Sequence, residues 1–404
     1  MAGALDGIRI LDLSRVFAGP GATQVLGDLG ADVIKVEEPR RGDEARYFGL
    51  TEAGLERYGG MGPSFLALNR NKRSLALDLA NAAGRKLAFE LASRSDVVLH
   101  NFRIGAMKRW GLDYEALRAV DPRIIYCEFS SYGLTGPLSH IGANDLALQA
   151  QSGLMSLTGE PGRRPVRVGT AAIDLHGSIS LVAAILAALY HRERTGEGQV
   201  VETSLLLSSA HLMNYFYTEY WIDGTVRKPM GTANHLSVPN QVFPTADGSV
   251  VIIAPSNEMW ARCARALDPE RLDLPRWRTI RERLAARNEI VEAISAITRK
   301  MPAQEVVAQL SAAKVNVAKV NSVGEAADHP QLAAIGGVVE APMPGGAAKT
   351  VSSPFKMMGT PMTVRHGPPA LGAHTDEILS EFGFGTSEIA SLRDQGAFGA
   401  IGEG

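Results

Sequence analysis

Asp174 stands directly ahead of a long apolar run, and that placement is where chemistry is most readily imagined in this chain. Leu175–Arg194 is built mostly of good helix formers, with its polar residues gathered at the two ends. It reads as a buried helix that closes on Tyr190-His-Arg-Glu-Arg194 and stops at Thr195-Gly-Glu-Gly198. Basic residues suit a helix C-terminus, and glycine suits the position after it. Asp174 is therefore expected at or near the N-cap. An Asp there accepts a backbone N–H bond worth roughly 0.5–2 kcal/mol of helix stability. The same placement also permits a reaction. Free N–H groups and the positive end of the helix dipole keep a carboxylate ionised. An ionised carboxylate in an apolar setting is a nucleophile toward an activated acyl group.

Three cationic groups fall at the ends of expected strands: Arg40/Arg41, Lys72/Arg73 and Lys108/Arg109. In a parallel sheet their charges would converge on one edge. With Phe102 available for stacking, such an edge suits a phosphorylated nucleotide such as coenzyme A. The plain alternative is a set of basic residues facing solvent. Other chemistries find less support. The nine histidines form no HxxxH or HxH pair, and the two cysteines, Cys127 and Cys263, form no spaced metal set. No Gly-x-Ser-x-Gly elbow occurs. His176 is two residues from Asp174, which puts it on a different helix face. Gly19-Pro-Gly21 invites a dinucleotide reading with Glu37 as the ribose acid, but Gln24 stands where the third glycine belongs. A tight turn with Pro at the start of a helix fits better.

The elements that must position these groups alternate. Ile8–Leu13, Asp32–Glu37, the run ending at Asp78, Asp96–His100 and Ile124–Phe129 read as strands. Helices are expected at Gly21–Gly30, Asn81–Ser93, Leu112–Val120 and Asp145–Met155. Strand–helix–strand units of this length imply an α/β, Rossmann-like parallel sheet with ligand sites at its C-terminal edge. Composition shifts toward Gly, Thr, Asn and Pro at 223–239 and again after 326. Hence residues 1–222 are assigned to a large domain, 223–239 to a linker and 240–325 to a smaller α+β domain. Residues 326–404 become a linker and a tail that returns to the large domain.

Bulk properties bound the partners. The chain has 404 residues, 45% hydrophobic and 21% charged, with net charge -2. Nothing there recommends nucleic acid or an anionic membrane. The N-terminus lacks the charged and apolar regions of a signal peptide, and the Leu181–Leu189 run is too short to span a bilayer. A cytoplasmic protein is expected.

The chain resembles the class III CoA-transferases, also called the CaiB/BaiF family. The matching stretches are Leu5-Asp-Gly-Ile-Arg-Ile-Leu-Asp-Leu13, Ala18-Gly-Pro20, Leu29-Gly-Ala-Asp-Val-Ile-Lys-Val-Glu37, Asn71-Lys-Arg-Ser74, Asn101-Phe102, Tyr132-Gly-Leu-Thr-Gly-Pro137, Ser152-Gly-Leu-Met155, Thr195-Gly-Glu-Gly-Gln199 and Leu371-Gly-Ala-His-Thr375. They run from end to end in family order and spacing. The resemblance implies that Asp174 attacks an acyl-CoA thioester, and that the resulting mixed anhydride becomes an aspartyl-CoA thioester. A second carboxylic acid then takes the CoA. It further implies that Lys72, Asn101, Phe102 and Arg109, beside the cations Arg40 and Arg73, touch CoA. Tyr132 would line the active site, and Gly231-Thr-Ala-Asn234-His235 would lie near a loop shielding the intermediate. CoA would come and go as substrate, with no resident cofactor or metal. A homodimer of interlocked chains is also implied.

Some positions depart from the family pattern. Phe17 and Glu38 replace a Gln and an Arg of formyl-CoA transferase, which argues against formyl or oxalyl substrates. The same fold hosts α-methylacyl-CoA racemase, whose His falls where this chain has Asn144. Without a base there, two-base proton exchange lacks a partner. Val238-Pro-Asn-Gln-Val-Phe243 is similar to the branch that moves CoA from succinyl-CoA to another acid. The expectation is a CoA-transferase acting between an acyl-CoA and a carboxylic acid. A racemase-type isomerase is the alternative, as is CoA transfer between the two carboxyls of one diacid.

Overall fold

The computed structural model describes residues 3–49, 51–52, 57–344 and 346–399. Short aliphatic runs form β1 (Arg9–Asp12), β2 (Asp32–Glu37), β3 (Lys72–Ala76), β4 (Val97–His100), β5 (Ile125–Ser130) and β6 (Val200–Ser204). They make one sheet in the order β3-β2-β1-β4-β5-β6, and every neighbouring pair is parallel. The mixed α/β class expected from the sequence is what this sheet displays. Strand order reverses between β1 and β4, so the loops after these two strands splay apart and leave a crevice.

Alternate strand residues face opposite sides. Ile10, Val33, Val97, Leu99, Ile125 and Cys127 share one core with α1 (Ala18–Asp28) and a later helix. Leu11, Ile34, Leu75, Val98 and Tyr126 share the other with α2 (Ala82–Ala92). Four further helices matter to the site: α3 (Ala106–Trp110), α4 (Asp145–Gln151), α5 (Ala172–Thr195) and α6 (Leu205–Leu212). At 24 residues α5 is long and apolar enough to cross a membrane, which corrects the shorter apolar run read from the sequence. Here it buries Ile173, Leu181, Val182 and Ile185 against the sheet and α1. Gly196, at φ 78°, ends it by donating to the Arg192 carbonyl.

The chain forms two compact units. One takes residues up to Leu154, Val168–Gly224 and everything from Ala333. The other takes Met155–Arg167 and Thr225–Leu332. It carries an antiparallel sheet of β7 (Asn240–Pro244), β8 (Ser249–Ile253) and β9 (Asn316–Lys319), packed with helices around Phe243, Trp260, Trp277 and Ile290.

Gly19-Pro-Gly21 lies inside α1, not in a turn before it. Pro20 sits in the first turn, where a missing N–H leaves no helical bond unmade. The glycines serve close packing: a Cβ at Gly21 would lie 2.5 Å from Ser178 Oγ on α5, and one at Gly19 would overlap Ser14 Oγ.

The polar stretch at the start of β3 holds the C-terminal segment. Asn71, at φ 58°, accepts from the Arg365 and His366 N–H groups (2.6 and 3.1 Å). Its amide donates to Asp28 Oδ1 and the Thr363 carbonyl, each at 2.7 Å. Arg73 bridges Asp32, Glu377 and Glu381. Ser74 Oγ accepts from the Gly372 N–H, and the Ser74 N–H donates to His374 Nδ1. The stretches Asn71–Ser74 and Leu371–Thr375 thus dock on each other. Replacing Asn71 with Ala strips four bonds at one buried point and is expected to lower stability by roughly 2–4 kcal/mol. A urea titration checks this; a change under about 0.5 kcal/mol would contradict the docking role.

Candidate active site

The loop after β1 is held from beneath by buried charge. Asp12 accepts from the Ser14 N–H (2.9 Å) and from Thr23 Oγ1 (2.5 Å), and its carboxyl is held below its ordinary value by Lys72 and Lys35 against the opposing effect of burial. Lys35 Nζ donates to Asp43 (2.8 Å) and to the Ser14 carbonyl (3.0 Å). Asp43 in turn accepts from the Val16 N–H at 3.1 Å. Val16 has φ 73°, a costly conformation for a β-branched residue, and these bonds hold it there. Across the crevice, after β4, the Asn101 amide grips the Arg15 backbone at both ends: Arg15 N–H to Oδ1 at 3.0 Å and Nδ2 to the Arg15 carbonyl at 2.8 Å.

Between these loops opens a cavity of about 250 Å³. Arg15–Ala18, Asn101–Ile104, the end of β5 at Phe129–Ser131, the 139–144 loop, Asp174 and Leu205 line it. The cavity sits at the strand-order reversal, where open α/β sheets bind ligands. Arg15 and Arg103 bring positive charge, and the Arg15 guanidinium lies 5.1 Å from the centre of the Phe102 ring. A second cavity of about 290 Å³ shares Phe102, Arg103 and Ile104 and adds His100, Lys108 and Glu128.

Asp174 is the third residue of α5, near the helix start as expected though not the N-cap itself. The cap is Ala171, which offers no side-chain bond. The open N–H groups of the first turn are met instead by Asp145: its Oδ2 accepts from the Ile173 N–H at 2.8 Å and the Asp174 N–H at 3.2 Å. No hydrogen bond reaches the Asp174 carboxylate among the described residues. Burial, reinforced by the nearby Asp145 charge, pushes its carboxyl up to about 7. The dipole-held, low-value carboxylate expected from the sequence is therefore replaced by one poised near neutrality. His176 turns elsewhere, with Nδ1 2.6 Å from Ser208 Oγ and Nε2 3.1 Å from His211 Nδ1.

The structure brings Phe17, Asn101, Phe102, Asn144 and Asp174 into one cavity. Asn144 caps α4 through the Ala147 N–H. Other sequence candidates lie elsewhere. Lys72 begins β3, at the end opposite the loops, and is 0% exposed; its ammonium donates to Asp12, Asn69 Oδ1 and the Pro20 carbonyl. Arg73 holds the C-terminal segment, as above. Neither lines the cavity, so the expected convergence of three cation pairs on one edge does not occur. Arg40 follows β2 but is 79% exposed and paired with Glu38 at 3.3 Å. Arg109 is exposed on α3. Tyr132 packs on the core beside the sheet, and its neighbours Ser130 and Ser131 line the cavity instead. Gly231, Asn234 and His235 belong to the second unit. There the Gly231 N–H bonds the Gly159 carbonyl and Arg287 bonds the Asn234 carbonyl.

Sequence reasoning missed Arg15, Arg103 and Asp145. Arg103 immediately follows the noted Asn101-Phe102 pair, so adjacency was an available signal. Asp145 carried none, because the N–H groups it caps, at Ile173 and Asp174, are more than two dozen residues downstream.

Comparison with known proteins gives this geometry its class. Residues 5–375 match CoA-transferase family III. A succinate–glutarate CoA-transferase of Agrobacterium fabrum is 36% identical over 383 residues, covering 93% of this chain and 95% of that protein. A succinyl-CoA:glutarate CoA-transferase of Mus musculus is 37% identical over 379 residues, covering 93% and 86%. The crystal structure of a CaiB/BaiF family protein from Brucella suis superimposes with a TM-score of 0.85 at 31% identity, covering 94% of this chain and all of that one. The chain belongs to CoA-transferase family III and is a CoA-transferase.

Proposed function

We propose that the protein moves CoA from succinyl-CoA to a second free carboxylic acid through a thioester on Asp174. The observation that carries this reading is the Asp174 carboxylate, half-buried and without a hydrogen-bond partner among the described residues, in the cavity at the sheet's reversal point. Its oxygen attacks the thioester carbonyl carbon, the C–S bond breaks, and CoA leaves as a thiolate. The thiolate then attacks the Asp174 carbonyl carbon, releasing the donor acid and leaving aspartyl-CoA. The acceptor carboxylate reverses both steps, so no net proton is consumed. The thiolate must stay beside the anhydride, and proximity of this kind supplies much of the rate.

Several features support the reading. Ala18 opens α1 at the cavity with an N–H group that has no partner among the described residues, a setting suited to a developing oxyanion. Arg15 and Arg103 suit CoA phosphates or the second carboxylate of a diacid. The relatives named for succinate, succinyl-CoA and glutarate favour dicarboxylic acids as substrates. Incubation of succinyl-CoA with a panel of isotopically labelled diacids tests the assignment: label entering the CoA-ester pool supports it. Loss of α-deuterium from a branched acyl-CoA without acid exchange would favour the isomerase instead.

The same reading includes a cytoplasmic homodimer. Tyr215, Tyr220, Trp221 and Ile222 lie exposed on the helix Asn214–Asp223, a surface that a second copy would cover. Sedimentation equilibrium should return twice the chain mass; a monomer at micromolar concentration would remove this part.

A further inference from the structure

The nucleophile reading leaves one buried group unexplained. Asp145 is 8% exposed and sits at the start of α4, close to the cavity but not among its lining residues. Its two oxygens face different ways. Oδ2 accepts from the Ile173 and Asp174 N–H groups, and Oδ1 accepts from Gln149 Nε2 at 2.5 Å. Gln149 is 0% exposed, and its own Oε1 accepts from the Val168 N–H at 2.9 Å. Two side chains one turn apart on α4 thus clamp both ends of the 168–174 segment that leads into α5.

We infer that Asp145 is a positioning residue which, with Gln149, caps α5 in place of Asp174 and so leaves the Asp174 carboxylate free to react. This inference rests on Asp174 being the nucleophile. The physical argument is competition for donors. The first N–H groups of a helix need acceptors, and an Asp in the first turn is a natural one. Without Asp145, the Asp174 carboxylate would fold back onto its own helix terminus. There it would be hydrogen-bonded, more acidic and a poorer nucleophile. The Asp145 charge also repels that of Asp174, raising its carboxyl in the same direction as burial.

The other charged groups around Asp174 are few. Arg15, Arg103 and His140 line the cavity from the two loops and the 139–144 segment. From α6 comes His211, bonded to His176, and from α1 only Asp28 at the far end, paired with Arg70. None of them bonds the α5 N-terminus.

The test compares CoA exchange from pH 5.5 to 9 in wild type, Asp145→Asn, the double variant Asp145→Asn/Gln149→Glu, and Asp174→Ala. The double variant can keep every bond of the clamp while moving the charge one turn away. Its new amide at position 145 donates to the new carboxylate at position 149, and that carboxylate still accepts from the Val168 N–H. The expected result is a kcat at least tenfold lower in Asp145→Asn, with its pH midpoint below that of wild type. The double variant should recover most of the rate, with a midpoint between the two. A wild-type rate and midpoint in Asp145→Asn would overturn the inference. So would a loss of rate that follows the melting temperature, with no change of midpoint and no recovery in the double variant. Activity surviving in Asp174→Ala would instead overturn the nucleophile reading.

Discussion

Replacing Asp174 with Ala is expected to lower CoA exchange by about 10³–10⁵-fold, with little loss of fold. A covalent route splits one difficult displacement into two easier ones, and removing the nucleophile removes both. The side chain makes no hydrogen bond among the described residues, so its truncation leaves no partner orphaned. The helix terminus stays capped by Asp145. Steady-state exchange between labelled succinate and succinyl-CoA measures the effect. A loss under tenfold would mean that Asp174 is not the attacking group.

The second large effect is on pH. Asp174 attacks only as a carboxylate. With its carboxyl pushed up to about 7, exchange should fall roughly tenfold per pH unit below that point and level off above it. Between pH 8 and pH 5 this amounts to roughly a hundredfold. A profile flat down to pH 5 would contradict it.

Stability should move the opposite way. The unfolded chain ionises near 3.8 and the folded one near 7, so the folded form binds the extra proton between those values. Stability tied to this group is complete below the lower value and is lost as pH rises through the higher one. Asp174→Asn removes that loss. It should therefore be more stable than wild type at pH 8, by on the order of 2–3 kcal/mol after allowing for the solvent that reaches the site. At pH 4 the two should match. A reacting group held at a cost to the fold is a common arrangement.

The strands were legible because each is a short aliphatic run flanked by turn residues. Asp32–Glu37 matches its sequence-read bounds, and Val97–His100 and Ile125–Ser130 agree within a residue. The helix at Ala82–Ala92 was legible through Asn81, which caps it as its type suggests. What failed has a shared cause. Lys72 and Arg73 look like ligand cations in one dimension, yet Asp12 and Asp32 neutralise them from other strands. Asn71 looks like part of the same basic motif, but three of its four side-chain bonds run to residues almost three hundred positions away. Asp174 looks like its own helix cap because the true acceptor, Asp145, comes from another helix. Local pattern reveals element type and one half of each long-range pair; the fold alone joins the halves. Gly19-Pro-Gly21 shows the same limit, since the need for glycine there comes from Ser14 and Ser178.

The most direct test of the covalent account is intact-mass spectrometry after incubation with succinyl-CoA, in wild type and Asp174→Ala. Hydroxylamine is added to a parallel sample. The account predicts a wild-type adduct equal to CoA less one water, its conversion by hydroxylamine to a hydroxamate at Asp174, and no adduct on the variant. An unmodified wild-type protein that is nonetheless turning over, or the same adduct on the variant, would contradict it.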